Sequence, residues 1–127
     1  MIFGIGTDIV AFARIESLHQ RYGVRFAQRI LSETEMHEFS AHAQPARLLM
    51  KRFAAKEALA KAAGSGLRHP VSMHNMTVAH DDQGKPLFEF AAELAAHFAQ
   101  LGISRHHLSI SDEHDAAVAF VILEGKN

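Results

Sequence analysis

The chain has 127 residues, with 13 Lys+Arg against 14 Asp+Glu, ten histidines and a formal net charge of −1. That length suits one domain spanning residues 1–127, large enough to hold a core without disulfide or metal staples. The charge balance excludes a disordered acidic tail and a globally basic nucleic-acid binder. There is no cysteine, which excludes a disulfide scaffold, a Cys-zinc centre and a thiol nucleophile. No apolar run approaches the roughly 20 residues of a membrane span. Met1-Ile2-Phe3-Gly4 has no basic flank, and Asp8 interrupts the short apolar stretch, so no signal peptide is expected. The cytoplasm is the expected location, with neither membrane nor nucleic acid as partner.

The neutral total conceals a segregation. Residues 1–68 carry ten Lys/Arg and six acids, a charge of +4, and residues 69–127 carry three bases and eight acids, a charge of −5. Such asymmetry points to an anionic partner for the first half, with solvated helix faces as the plain alternative.

Ile2 to Val10, rich in β-branched residues and glycine, reads as a strand. Gly4 and Gly6 inside it suggest a bulge or a close backbone approach. From Ala13 the period becomes helical: Ile15, Leu18 and Tyr22 form a stripe, Arg14, Arg21 and Arg25 lie off it, and Gly23 ends or kinks the helix. A second short helix is expected over Phe26 to Leu31. Ser32-Glu33-Thr34-Glu35 matches a capping box and should open a helix from Glu33 to about Ser40. Pro45 suits the first turn of a long helix whose body, Ala46 to Ala63, is built from strong helix formers and stops at Gly64.

The second half reads as a strand over Val71 to Ala79, a turn from Asp81 to Pro86 and a returning strand over Leu87 to Phe90. A helix over Ala91 to Leu101 closes at Gly102. Two last strands, His107 to Ser111 and Ala116 to Leu123, flank the turn Asp112 to Asp115. The order implies an α+β fold with a mainly antiparallel sheet.

Two carboxylates stand out. A carboxylate in a Gly/Ile/Val strand, as at Asp8, is costly to bury unless paired or bound to metal. Glu57 lies on the long helix one turn from Lys61 on the same face, and Arg52 and Lys56 form a neighbouring ridge. Glu57 and Lys61 alone would read as a surface ion pair. Two carboxylates from separate elements can hold Mg²⁺, which keeps waters and substrate phosphates in its other positions. Surrounding Lys and Arg would hold the rest of a polyphosphate. The chemistry implied is Mg²⁺-assisted attack at phosphorus. Gly64-Ser65-Gly66 follows the basic helix without the pattern of a nucleotide P-loop. The histidine pairs His37/His42, His69/His74 and His106/His107 lack helical metal-site spacing.

Gly4-Ile5-Gly6-Thr7-Asp8-Ile9-Val10 with Arg14-Ile15 resembles the opening signature of the holo-acyl-carrier-protein synthases, the small bacterial 4′-phosphopantetheinyl transferases. Arg52-Phe53-Ala54-Ala55-Lys56-Glu57-Ala58, Lys61-Ala62 and Gly64-Ser65-Gly66 resemble their second signature. Gly84-Lys85-Pro86 and His107-Leu108-Ser109-Ile110-Ser111 resemble later blocks. The resemblance runs from residue 2 to about 124. It implies the 4′-phosphopantetheinyl transferase fold, a mainly antiparallel sheet packed with a long central helix and shorter helices. It also implies transfer of the 4′-phosphopantetheine arm of coenzyme A to a serine of apo-acyl carrier protein, in the service of fatty acid synthesis.

By the same resemblance Asp8 and Glu57 are Mg²⁺ ligands and Lys61 a phosphate contact. Arg52, Lys56 and His107 are candidates for the remaining phosphates, and Gly64, Ser65, Gly66, Gly84, Lys85 and Pro86 for the nucleotide end. The serine proton goes to Glu57 or to a metal-bound water. The first helix becomes the carrier-protein dock, with Arg14, Arg21 and Arg25 steering an acidic helix and Leu18 as apolar contact. The resemblance also implies a homotrimer with active sites at subunit boundaries. Two positions depart from the family pattern. Ala11 stands where Glu is usual, which removes a third carboxylate there. Asp112 stands where His is frequent, and its charge opposes a phosphate role.

Two other function classes fit parts of the pattern. A metal-dependent nuclease also uses Asp, Glu and Lys, but its Lys usually follows the acid by two residues on a strand. A non-catalytic module binding acidic protein or RNA would use the basic helices and leave Asp8 unexplained.

Overall fold

The computed structural model describes residues 1–126. Strand β1 (Ile2–Ala11) runs directly into helices α1 (Phe12–Tyr22), α2 (Val24–Ile30), α3 (Glu33–Ala41) and α4 (Pro45–Ala63). After a 3₁₀ turn (Met73–Asn75) come β2 (Met76–His80), β3 (Pro86–Phe90), α5 (Ala92–Gln100), β4 (Ile103–Asp112) and β5 (Ala116–Gly125). The α+β expectation holds, and every strand pair is antiparallel. The strands form two sheets, a three-stranded one ordered β1-β5-β4 and the separate hairpin β2-β3.

Local chemistry explains most boundaries. Gly23, at φ 58°, breaks α1 from α2, a conformation glycine adopts without a Cβ clash. Ser32 and Glu35 form the capping box: the Ser32 amide donates to Glu35 Oε1 at 2.9 Å, and the Glu35 amide to Ser32 Oγ at 3.4 Å. Pro45 opens α4, and Gly64, at φ 83°, closes it.

The strand expected from Val71 begins only at Met76. Over Arg68–Asn75 the backbone bonds to itself in turns: the Val71 amide donates to Arg68 O, and the Asn75 amide to Ser72 O. Asn75 Nδ2 also donates to Pro70 O at 2.9 Å. Val71 is fully buried, so its apolar character marks a plug, not a strand. Strand β4 begins four residues earlier than expected, at Ile103.

Helix α4 crosses one face of the larger sheet. That face presents Gly4, Gly6, Asp8 and Val10 of β1 and, opposite them, Leu123, Val121, Ala119 and Ala117 of β5. Small residues meet small residues, because Ala54, Ala55, Ala58 and Ala62 of α4 are all buried. A Cβ on Gly4 would stand 1.9 Å from Ala62 O, and one on Gly6 1.9 Å from Ala58 O. The opposite face of the sheet is open and apolar, with Phe3, Ile5, Ile9, Val118 and Phe120 exposed.

Away from the sheet, α4 is tied down by buried charge. Lys56 Nζ, with no solvent exposure, donates to Glu35 Oε1 at 2.6 Å and to Ile30 O and Met73 O at 2.8 Å each. Burial pulls the Lys56 pKa down and the Glu35 carboxylate pulls it back. Glu35 Oε2 accepts the Val78 amide at 2.9 Å. Removing one member of a buried ion pair strands the other. Glu35→Ala leaves buried Lys56 without its counter-charge and the Val78 amide without its acceptor, and should lower stability by about 3–5 kcal/mol in urea denaturation.

Candidate active site

The glycine contact fixes the site. Because Gly4 and Gly6 let α4 approach β1, the next residue on the same face, Asp8, reaches the last two turns of α4. Lys61 Nζ donates to Asp8 Oδ1 at 3.1 Å and to Thr7 O at 3.0 Å. The Lys61 side chain is 53% exposed and that of Asp8 only 15%. Asp8 Oδ2 is buried with no hydrogen-bond partner. Glu57 lies one turn before Lys61. Burial raises its pKa above the ordinary carboxylate value, the Asp8 charge raises it further, and Lys61 and Arg14 oppose the shift.

Asp8, Glu57, Lys61 and Arg14 therefore act on one another, as Asp8, Glu57 and Lys61 were expected to. An orphaned carboxylate oxygen beside a second, mutually repelled carboxylate is a site short of positive charge. A hard divalent cation such as Mg²⁺ suits that donor set, since it takes oxygen ligands and needs few from protein. Among the described residues no group of three His, Cys, Asp or Glu could hold a metal, so any cation here relies on these two carboxylates, water and substrate.

Arg14 also stacks over the Phe53 ring, 5.6 Å from its centroid, and Phe53 lies one turn before Glu57 on the same face of α4. From there a groove of about 840 Å³ opens along α1 and α2, lined by Leu18, Tyr22, Arg25, Phe26, Arg29, Phe53, Met73 and His74. Leu18 and Arg25, expected at a docking surface, line it. Arg21 packs over Tyr22 at 5.3 Å. The sequence reading missed Phe53, Phe26, Met73 and His74. The spacing of Phe53 and Glu57 carried a signal for the first. Met73 and His74 sit on the 3₁₀ turn where a strand was expected.

Other expected contacts fall elsewhere. Lys56 is removed from the phosphate set: its three N–H groups are all used inside the chain. Arg52 is also turned inward, 2% exposed, with Nη2 on the Glu38 carboxylate at 3.0 and 3.2 Å. It stands nine residues before Lys61, which at 3.6 residues per turn places the two about 180° apart around α4. His107 lies on the open sheet face, hydrogen-bonded to Glu124, and that bond lowers the Glu124 pKa. It is not joined to Asp8 or Glu57.

Gly64, Ser65 and Gly66 follow α4 directly, three to five residues past Lys61, with the Gly66 amide on Ala60 O. Gly84, Lys85 and Pro86 lie in the β2–β3 turn, where Asp81 Oδ1 accepts the Gln83 and Lys85 amides at 2.9 Å each. Burial lowers the pKa of His80, at the base of that turn, and the Arg52 charge adds to the shift. Among the described residues no hydrogen bond joins this turn to Gly64–Gly66. Asp112 has its own partner in Arg47, whose Nη1 donates to Oδ2 at 3.2 Å.

Residues 4–121 match the family model of the 4′-phosphopantetheinyl transferase superfamily. The holo-[acyl-carrier-protein] synthase of Nitrosomonas europaea is 58% identical over 124 residues, covering 98% of this chain and 99% of that one. The crystal structure of the Neisseria meningitidis synthase is 49% identical, covers 98% and 99% of the two chains, and superposes with a TM-score of 0.95. The Bacillus anthracis synthase in complex with CoA (3′,5′-ADP) is 37% identical, covers 99% of each chain, and gives a TM-score of 0.82. The chain belongs to the 4′-phosphopantetheinyl transferase superfamily and, within it, to the holo-[acyl-carrier-protein] synthases. It is an enzyme of that kind, and the nuclease and non-catalytic alternatives are not favoured.

The raised Glu57 pKa has a stability consequence. Its contribution is present below the ordinary carboxylate pKa and lost as pH rises through the raised folded value. At neutral pH, without metal, ionised Glu57 is a liability. Glu57→Gln should raise the thermal midpoint by a few degrees at pH 7 in chelator, and the gain should vanish near pH 4.

Proposed function

We propose that the Asp8–Glu57–Lys61 cluster transfers 4′-phosphopantetheine from coenzyme A to a serine hydroxyl of apo-acyl carrier protein, releasing adenosine 3′,5′-bisphosphate and supplying holo-carrier protein for fatty acid synthesis. The observation that carries this reading is the buried, unpartnered Asp8 Oδ2 beside Glu57 and Lys61. Asp8 and Glu57 would hold Mg²⁺, which supplies positive charge to the coenzyme A pyrophosphate as the leaving group forms. Lys61, solvent-facing and anchored by Asp8, presents its ammonium to a phosphate oxygen. Gly64–Gly66 offers backbone and the Ser65 hydroxyl just beyond it. The proton of the incoming serine passes to Glu57 or to a water held with the cation. The nucleophile belongs to the partner, which agrees with a chain that has no cysteine.

The groove beginning at Phe53 is the carrier-protein dock. Arg25 and Arg29 line it beside the apolar Leu18, Phe26 and Met73, and Arg14 and Arg21 pack over its Phe53 and Tyr22 rings. That combination fits an amphipathic acidic helix, with charge governing encounter and the floor governing retention.

The open sheet face supports a homotrimer. Ile5, Ile9, Val118 and Phe120 form an uncovered apolar surface on a sheet whose other face is fully packed, and such patches mark interaction sites. Assembly through it would let the Gly84–Pro86 turn of one chain serve the Asp8–Glu57 site of another.

Incubation with coenzyme A, Mg²⁺ and apo-acyl carrier protein should add one phosphopantetheine to the carrier, read by mass spectrometry. Asp8→Ala and Glu57→Ala should each cut kcat by about 10²-fold or more, and wild-type rates under both substitutions would refute the site. Arg14→Glu should raise the KM for carrier protein roughly tenfold and leave that for coenzyme A unchanged. Phe120→Asp should shift the sedimentation coefficient from trimer to monomer, with activity lost in parallel.

A further inference from the structure

The β2–β3 hairpin is a sheet of its own, and it hangs between two side chains at a single rung. Val78 and Phe88 stand directly opposite each other. Both amides turn outward, as in a non-hydrogen-bonded antiparallel pair. The Val78 amide donates to Glu35 Oε2 at 2.9 Å, and the Phe88 amide donates to His106 Nε2 at 3.0 Å. The Glu35 side is buried and locked by Lys56. The His106 side joins β3 to β4 of the larger sheet.

His106 fits that task in shape as well as polarity. Its ring lies edge-on to Phe88 and Phe90, with centroids 5.6 and 5.3 Å apart, and Phe90 in turn meets Phe98 of α5 at 5.1 Å. An imidazole accepting at Nε2 is the neutral ring with its proton on Nδ1. We infer that His106 is a positioning residue for the Gly84–Lys85–Pro86 turn: its hydrogen bond to the Phe88 amide sets where the hairpin presents that turn. The inference rests on the proposed role of the turn in binding coenzyme A.

A proton on Nε2 would remove the acceptor and set two donors face to face. The surroundings of the ring resist that proton. From β3 it faces Phe88 and Phe90, across from it on β5 stands Leu123, and α5 contributes Phe98 with His97 beside it. Its strand neighbours Arg105 and His107 turn to the other face, where both approach Glu124. Burial, aided by the His107 charge, lowers the His106 pKa below the usual histidine value. The free chain takes up a proton first as pH falls, so the attachment weakens through and below the ordinary histidine range.

The test compares His106→Phe, which keeps a ring and loses the acceptor, with His106→Gln, whose carboxamide oxygen can accept without titrating. Steady-state assays of the full chain with coenzyme A and carrier protein would run from about pH 5 to 8. His106→Phe should raise the KM for coenzyme A roughly fivefold at every pH, the worth of one ordinary hydrogen bond, with kcat and the carrier KM unchanged. Wild type should show that rise only at the acid end, and His106→Gln should show none. The Phe88 amide should exchange hydrogen faster in His106→Phe and at the wild-type rate in His106→Gln. Lys85→Ala separates the two readings. If it raises the coenzyme A KM while His106→Phe does not, the positioning role is overturned. If Lys85→Ala leaves that KM unchanged, the reading of the turn is overturned and the inference with it.

Discussion

Gly4 and Gly6 lie against the carbonyl groups of Ala62 and Ala58 so closely that no side chain fits between strand and helix. Interiors packed this tightly hold geometry to fractions of an ångström. Asp8 belongs to the strand, Glu57 and Lys61 to the helix, and nothing in the sequence joins them except this contact. The alanines on both sides serve the same end: Ala117 and Ala119 of β5 and Ala54, Ala55, Ala58 and Ala62 of α4 keep the helix low on the sheet. The charged cluster at the end of β1 is thus a product of apolar packing.

Helix α4 does two different things with its charged residues. Glu57 and Lys61 point toward the end of β1, partly open to solvent. Arg52 and Lys56 point the other way, into α3, the 3₁₀ turn and β2, where Glu35 and Glu38 receive them. A basic helix read along its sequence looks like one long phosphate surface. Folded, Arg52 and Lys56 become internal structure while Lys61 stays half-exposed beside Asp8, and position around the helix decides which.

Much of the fold was legible because its signals are local. The glycine break at 23, the capping box at Ser32–Glu35, Pro45 and Gly64 each act within one turn of chain, and each appears where the residues indicate. The glycines of β1 were legible as a close approach, though not what they approach. The strand at Val71 misread burial as extension, since an apolar residue plugging a core and one lining a sheet look alike in sequence. Of the candidate site, Asp8, Glu57 and Lys61 come together as expected. Lys56 and Arg52 were misplaced because their partners, Glu35 and Glu38, lie 21 and 14 residues away, and no periodicity reports such a pairing. Asp112 follows the same logic: Arg47, 65 residues earlier, receives it.

The Lys56–Glu35 pair reaches beyond its own bond. Its hydrogen bonds gather the end of α2, the cap of α3, the 3₁₀ turn, β2 and the middle of α4 onto two groups that both need charge compensation. None of these segments can open alone without leaving a polar group unpaired in the interior, a state far costlier than fraying an exposed turn. The span from Ile30 to Val78 should therefore open as one cooperative unit. The hairpin tip lies outside it and is free to fluctuate at lower cost. Rigidity would then concentrate where α4 carries Glu57, and compliance at the hairpin tip that carries Gly84 and Lys85.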